Sequence, residues 1–286
     1  MNNNTMKTPV AIPVSKLHPF EDNPFKVLDN GEMNTLIESI QTQGILSPLI
    51  VRPMENTTDE YEVVSGHRRL HAAQKAGLET VPAFIYALDR DAAAIAVVDS
   101  NLHREHILPS EKAFAYKMKY DAMRHQGKAS CQPGTKSRTD EQMAEASDDS
   151  ARQIQRYIRL TYLIPELLDW MDEERVALSV GVELSYLDDQ SQYDVLEQCE
   201  QNMCTPSYSQ AVRMHRAMND GILNWNYVAE IMAEEKANQK ETLKIPMERL
   251  RNIVPDSFTV KQTEDYLVKA AEYYKKYLQK QRENTR

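Results

Sequence analysis

The stretch Tyr61–Gly77 (YEVVSGHRRLHAAQKAG) constrains the chain most: an apolar run of strand length passes through one glycine into a helical pattern that a second glycine closes. Similar short runs surround it. Ala11–Leu17 (AIPVSKL), Leu49–Val51 and Val81–Tyr86 read as strands. Glu32–Gln43 puts Met33, Leu36, Ile37 and Ile40 on one helical face, with Gly44 as its cap. Asp91–Asn101 and Ser110–His125 are further helices, the second opened by Pro109. This order of strands and helices predicts a small α+β domain over residues 1–108.

Beyond it the pattern changes. Residues 126–138 (QGKASCQPGTKSR) read as a turn-rich basic linker. From Thr139 to about Asn219 the chain reads as short helices: Thr139–Ala146, Ser150–Leu163, Pro165–Glu174, Ser179–Leu187, Gln190–Gln201 and Pro206–Asn219. An all-α domain is therefore expected over 109–220. A helical C-terminal region over 221–286 is expected to break near Pro246 and Pro255.

Composition narrows the class. Of the 286 residues 41% are hydrophobic and 27% charged, the balance of a globular protein. No apolar run approaches the roughly 20 residues of a membrane span. The N-terminus (MNNNTMKTPV) lacks the layout of a secretory signal, so the expected location is the cytoplasm. Cys131, Cys199 and Cys204, an odd number without a CxxC, exclude a disulfide scaffold and argue against a cysteine zinc site. The net charge of −9 is segregated: residues 161–203 hold eleven acids against Arg175 alone. Residues 117–138 hold Lys117, Lys119, Arg124, Lys128, Lys136 and Arg138 against Asp121 alone. Local patches decide contact with a polyanion, so the acidic total does not exclude DNA.

TDEQMAEASDDSARQIQRYIRL reads as helix–turn–helix. Thr139 with Gln142 forms a capping-box start, and Ser147–Ser150 supplies a turn and a second N-cap. In the second helix Ile154, Tyr157, Ile158 and Thr161 face inward, while Arg152, Arg156 and Arg159 form an outward stripe beside Gln153 and Gln155. Arg pairs bidentately with guanine and Gln with adenine, so such a face suits the major groove. Arg152, Gln153, Gln155 and Arg156 are the expected base readers, at a helix start marked by Ser150. Lys128, Lys136, Arg138 and Arg159 are expected at the phosphates, and Thr139 is counted with the DNA-binding set. The competing reading is a solvated face whose arginines pair with the acids of 161–203.

Ser65-Gly66-His67-Arg68-Arg69 sits where a strand hands over to a helix. Glycine there lets a backbone approach a ligand, and the helix start offers free N–H groups to an anion. Asn101-Leu102-His103-Arg104 and Gly44-Ile45-Leu46-Ser47-Pro48 are two more candidate anion turns. Each alone also reads as an ordinary turn. There is no P-loop, since Gly134-Thr135-Lys136-Ser137 is only a near miss. His67 and His71 lie one helical turn apart without a third ligand, so no metal site is expected.

The run GILSPLIVRP…YEVVSGHRRLHAAQKAGLETVPAFI…DSNLHREHILPSEKAFAY, followed by helix–turn–helix, resembles ParB-type partition proteins over about residues 11–200. The resemblance implies an α+β N-terminal ParB/sulfiredoxin-like domain, then an all-α helix–turn–helix domain and a helical C-terminal tail. It implies CTP binding with Mg²⁺ as a switch, a palindromic double-stranded DNA site, a nucleoid-associated homodimer and a Walker-type, ParA-like ATPase partner. Carried over by position, Gly44 and Pro48 match the first nucleotide block. Gly66, Arg68 and Arg69 match the G-E-R-R block, and Asn101 and Arg104 the E-N-x-x-R block. His67, counted with the nucleotide set, and Ser100 stand where the family carries glutamates. An imidazole or a hydroxyl cannot replace a carboxylate at Mg²⁺, so at most weak CTP hydrolysis is expected and no catalytic residue is assigned.

Thr259–Arg286 places Leu267, Ala271, Tyr274 and Leu278 along one seam, read either as self-association or as packing onto the protein's own core. That tail differs from a chromosomal partition protein, so the expected role is maintenance of a plasmid or integrated mobile element. Two alternatives share the fold: a transcription regulator with the same DNA reader, and a nucleotide-dependent enzyme of the sulfiredoxin or small-molecule kinase kind. Sulfiredoxin chemistry needs a cysteine beside the Gly-His-Arg turn, and none is there.

Overall fold

The computed structural model describes residues 8–55, 57, 59–104, 106–129, 139–234, 250, 253–255 and 258–283. The chain forms two compact units, residues 1–234 and 235–286. The first unit opens with β1 (Val10–Pro13), β2 (Leu17–Pro19), α1 (Gly31–Gln43), β3 (Leu49–Pro53), β4 (Tyr61–Ser65), α2 (His67–Lys75), β5 (Thr80–Ile85) and α3 (Arg90–Asn101). The strands make a five-stranded mixed sheet in the order β1-β5-β3-β4-β2. β1 is antiparallel to β5, β5 parallel to β3, β3 antiparallel to β4, and β4 parallel to β2.

One expected strand proves to be two. Ala11–Leu17 breaks into β1 and β2 around a 3₁₀ turn at Val14–Lys16, and the halves lie at opposite ends of the hydrogen-bonded order. Pro13 cannot extend the ladder with an N–H, and the Val14 N–H turns away to the Glu79 carbonyl at 3.0 Å.

Apolar residues of alternating strand positions bury both faces. Ile12, Leu49, Val51, Val63, Val81 and Ala83 pack with Leu70 and Ala73 of α2. Met33 and Ile40 of α1 then close over Ala72. On the other face Phe20, Phe25 and Val64 meet Ala93, Val97 and Val98 of α3. Each large side chain so buried contributes about 1.5–3 kcal/mol. Between the strands lies a buried ion pair, Arg52 Nε to Glu62 Oε2 at 2.7 Å. The second oxygen, Glu62 Oε1, accepts the Glu21 N–H at 2.9 Å and so pins the loop after β2. Losing either partner would strand a buried charge.

Helices follow: α4 (Pro109–Ala129), α5 (Thr139–Glu145), α6 (Ala151–Leu160), α7 (Pro165–Asp172), α8 (Leu178–Leu184), α9 (Asp189–Asn202), α10 (Tyr208–Asn219) and α11 (Trp225–Ala233). Residues 126–129, expected to begin the linker, are the last turn of α4, whose opening half packs on α3 through Ala115 and Met118. α6 stops at Leu160, three residues before its expected end. There Thr161 Oγ1 back-bonds to the Ile158 carbonyl at 2.8 Å. Buried Gln192 holds the turn that follows, accepting the Ile164 N–H at 2.9 Å and donating to the carbonyls of Tyr162 and Leu187 at 3.0 Å. Leu160, Leu167, Met171, Leu184, Val195, Met214 and Ile231 form the helical core, which includes α11.

In the second unit the long helix α12 (Val260–Glu283) starts at Thr259, whose N–H and hydroxyl both donate to Gln262 Oε1. Along its expected seam Leu267 is half-buried, while Ala271, Tyr274 and Leu278 are exposed.

Candidate functional site

The strand-to-helix handover requires Gly66. Its φ is +105°, and a Cβ there would stand 3.1 Å from Leu49 Cγ and 3.2 Å from an Arg69 terminal nitrogen. Only glycine lets β4 turn this sharply into α2. The turn opens on a cavity of about 240 Å³ lined by Asn23, Phe25, Lys26, Gly66, His67, Arg68, Arg69, Ser100, Asn101 and Arg104, among others. Two of the three expected anion turns, Gly66–Arg69 and Asn101–Arg104, therefore meet in one cavity. Gly44 and Pro48 are not among its lining residues. Their turn is tied in through Arg69, whose Nη1 donates to the carbonyls of Ser47 and, at 3.0 Å, Pro48.

The cavity's charge is one-sided. Lys26, Arg68, Arg69 and Arg104 line it, and among the described residues no carboxylate does. Burial lowers the proton affinity of the Arg69 guanidinium from its ordinary value. Arg68 reaches Glu32 Oε2 at 3.0 Å on the rim. Lys26 stands on the irregular stretch after β2, and its N–H donates to Glu111 Oε1 at 2.8 Å.

His67 lies in the same wall as a neutral ring. Burial pushes its pKa down to about 4, against the opposing pull of a hydrogen bond with the Val63 backbone and the charge of Glu62. Its Nε2 accepts the Phe20 N–H at 3.3 Å, which assigns the proton to Nδ1. The histidine is thus a crosslink between β4, α2 and the Phe20 loop. Ser100 and Asn101 both bond back to the Val97 carbonyl, at 3.0 and 2.8 Å. Among the described residues no group of three or more His, Cys, Asp or Glu could hold a metal ion. The wall suits phosphate oxygens and does not suit a divalent cation held by protein carboxylates.

A second concave surface lies on the helical part. Ser150 caps α6 by accepting the Gln153 N–H at 3.3 Å. Ile154 and Ile158 bury against Tyr116 and Met143, as the helical period predicts. α5 and α6 pack on α4 around the turn between them. Asp149 of that turn accepts from the Tyr116 hydroxyl and pairs with Lys112 Nζ at 2.6 Å. Burial first, then Asp149, push the Tyr116 phenol up from its ordinary pKa.

The outer face of α6 borders two hollows. One, of about 420 Å³, is lined by Lys117, Tyr120, Arg124, Arg152, Gln155, Arg156, Arg159, Tyr162 and Tyr186 among others. The second, of about 500 Å³, shares Arg152, Arg156 and Tyr186 and adds Ser179, Tyr208 and His215. Among the described residues no carboxylate pairs with Arg152, Arg156 or Arg159. Of the acids of 161–203, Asp172 accepts the Ser110 N–H at 2.9 Å, and Glu183, which lines the second hollow with Arg152 and Arg156, holds His215 Nδ1 at 2.7 Å. Arg152 is exposed, and the Arg156 guanidinium donates to Gln153 Oε1 of its own helix at 3.3 Å. Arg159 is committed differently, donating to Ser185 and stacking over Tyr162 and Tyr186 at 4.5 and 4.1 Å. Gln153 and Gln155 are half-buried beside the stripe, and Thr139 is the first residue of α5. The side chain of Lys128 and all of Lys136 and Arg138 lie outside the described residues.

Sequence reasoning missed Lys26 and its neighbours, which sit in an aperiodic loop. It also left Lys117, Tyr120, Arg124, Tyr162 and Tyr186 out of the groove; only the basic run 117–138 hinted at the first three.

The ParB N-terminal domain model matches residues 1–102. The nucleoid occlusion protein of Listeria innocua is 37% identical over 113 residues, 39% of this chain and 39% of that protein, so the shared stretch spans about two fifths of that relative. The chromosome-partitioning protein Spo0J of Thermus thermophilus is 30% identical over 210 residues, covering 73% of this chain and 71% of that protein. The crystal structure of C-terminally truncated ParB from Caulobacter crescentus complexed to the centromeric parS site overlays with a TM-score of 0.44 at 22% identity, covering 78% of this chain and 98% of that one.

Proposed function

The chain belongs to the ParB/Spo0J family of partition proteins, and from that premise we propose that it is a sequence-specific DNA-binding protein whose N-terminal cavity takes CTP. The observation that carries the DNA reading is the Arg152–Arg156 row on α6, which no carboxylate pairs among the described residues and which faces hollows walled by cations and tyrosines, with Asp121 and Glu183 held by Lys117 and His215. In this reading α6 enters the major groove, with Arg152, Gln153, Gln155 and Arg156 at base edges. Lys117 and Arg124 of α4 hold phosphate, with Lys128, Lys136 and Arg138 continuing the basic run. Arg159, locked between two aromatic rings, supports the face and presents its remaining edge to the backbone of the duplex.

The N-terminal reading rests on the four cations, the glycine turn and Asn101, which together suit a polyphosphate. A palindromic site and a homodimer follow from the two-fold logic of such readers, and the exposed apolar side of α12 supplies a surface for pairing. The replicon we infer is a plasmid or integrated mobile element, with a ParA-like ATPase as partner.

Sequencing the DNA fragments retained by the purified chain, with and without CTP and Mg²⁺, tests the proposal. Recovery of one palindrome supports it. Retention of random fragments would dismiss sequence-specific reading. A pull-down yielding a Walker-type ATPase supports partition, whereas one yielding RNA polymerase would turn the assignment to transcription control.

A further inference from the structure

The wall chemistry of the N-terminal cavity separates two properties that nucleotide sites usually combine, phosphate affinity and a place for a divalent cation. Mg²⁺ demands near-octahedral oxygen ligands and is commonly anchored by one or two carboxylates beside the phosphates. Here the lining carries Lys26, Arg68, Arg69 and Arg104 and, among the described residues, no Asp or Glu. His67, the residue after the glycine, accepts the Phe20 N–H at Nε2 and hydrogen-bonds the Val63 backbone. Ser100 is turned back to the Val97 carbonyl at 3.0 Å.

Carboxylates do occur in the adjoining larger hollow, which shares Lys26, Arg68 and Arg104 with the cavity: Glu32, Glu111, Asp172 and Glu174. Three of them already have partners. Glu32 holds Arg68 at 3.0 Å, Glu111 accepts the N–H groups of Lys26 and Leu108 at 2.8 and 3.2 Å, and Asp172 accepts the Ser110 N–H at 2.9 Å. Glu174 is exposed.

We propose that this cavity takes a nucleoside triphosphate without a divalent cation, the four side-chain cations doing the charge neutralisation that the metal does elsewhere. The inference rests on the nucleotide reading above and specifies its ligand as the metal-free polyanion. Guanidinium and ammonium groups bond phosphate oxygens directly, so occupancy is set by protein charge rather than by Mg²⁺ concentration.

The test is CTP binding to the full chain by calorimetry, in MgCl₂ and in excess EDTA. The two affinities are expected to agree within about fivefold, and a larger loss in EDTA overturns the proposal. Binding in neither buffer, by a chain that still folds and retains DNA, removes the nucleotide reading itself and the inference with it. Arg104→Ala is expected to weaken CTP by about 10–100-fold in both buffers, and an unchanged affinity counts against the cation wall. Ser100→Glu, at an exposed position, adds a carboxylate to the wall. It is expected to weaken CTP by more than about tenfold in EDTA, with Mg²⁺ restoring affinity; a profile like that of the parent chain overturns the proposed cause.

Discussion

The guanidinium of Arg159 donates to the backbone carbonyl of Ser185 at 2.6 Å and so joins α6 to the end of α8. Of the three arginines in the row it is the one with a structural anchor. The face is therefore built of unlike parts: one arginine that holds α6 in place and two that are available to a ligand.

Arg159→Ala should lower the unfolding free energy by about 1.5–3 kcal/mol, since a charge-assisted hydrogen bond and two ring contacts are lost together. Arg159→Lys should recover only part of this, because an ammonium cannot both stack flat and reach the carbonyl. Urea unfolding measures both. Equal stability of Arg159→Ala and the parent chain would mean that the anchor is idle.

Arg156→Ala should leave unfolding unchanged and weaken binding to the cognate duplex by about 1–3 kcal/mol, with relaxed preference at one base pair. Competition binding against single-base variants of the site decides this. Undiminished discrimination would place base reading elsewhere.

Arg124→Ala, in the wall of the groove but off the α6 face, should weaken all duplexes alike. The plot of log affinity against log salt should flatten by about one unit, the amount expected for one lost phosphate contact. An unaltered slope would exclude Arg124 from the phosphates.

Gly66→Ala should destabilise the first unit by more than about 1 kcal/mol, because alanine at this positive φ is strained and its Cβ crowds Leu49 and Arg69. CTP affinity should fall along with stability, since the same turn positions Arg68 and Arg69. Full CTP affinity in a destabilised Gly66→Ala chain would separate the turn from the ligand.

His67 supplies a pH dependence. Its folded pKa of about 4 lies below the ordinary 6.5, so the unfolded chain binds the extra proton first. The stabilisation is complete above about pH 6.5 and is lost as pH falls from there toward 4, a change of up to about 3 kcal/mol over the whole interval. Denaturant titrations at stepped pH should show His67→Gln with a shallower acid limb than the parent chain. Superimposable limbs would show that the ring is not held neutral.

The parts of the sites that sit on regular elements were legible from the sequence. The Tyr61–Gly77 handover, the Glu32–Gln43 helix before it, the Asp91–Asn101 helix after it and the α6 stripe all follow from glycine placement and period, and the handover and the end of the Asp91–Asn101 helix bring Gly66, Arg68, Arg69, Asn101 and Arg104 together. Lys26 was invisible because its loop has no period, and its position comes from long-range bonds to Glu62 and Glu111. Ala11–Leu17 alternates like one strand, and alternation carries no information about which neighbour each half will pair with. Tyr162 and Tyr186 read as helix-end residues until Arg159 is seen between them.

Helix α4 begins at Pro109, on the rim of the larger hollow, and carries Lys117, Tyr120 and Arg124 into the wall of the other concave surface. Its length, about 30 Å at the usual rise, makes it one continuous helix shared by the two hollows. Should a guest in one hollow displace this helix, the other hollow would feel it, and linkage requires the two effects on binding free energy to be equal.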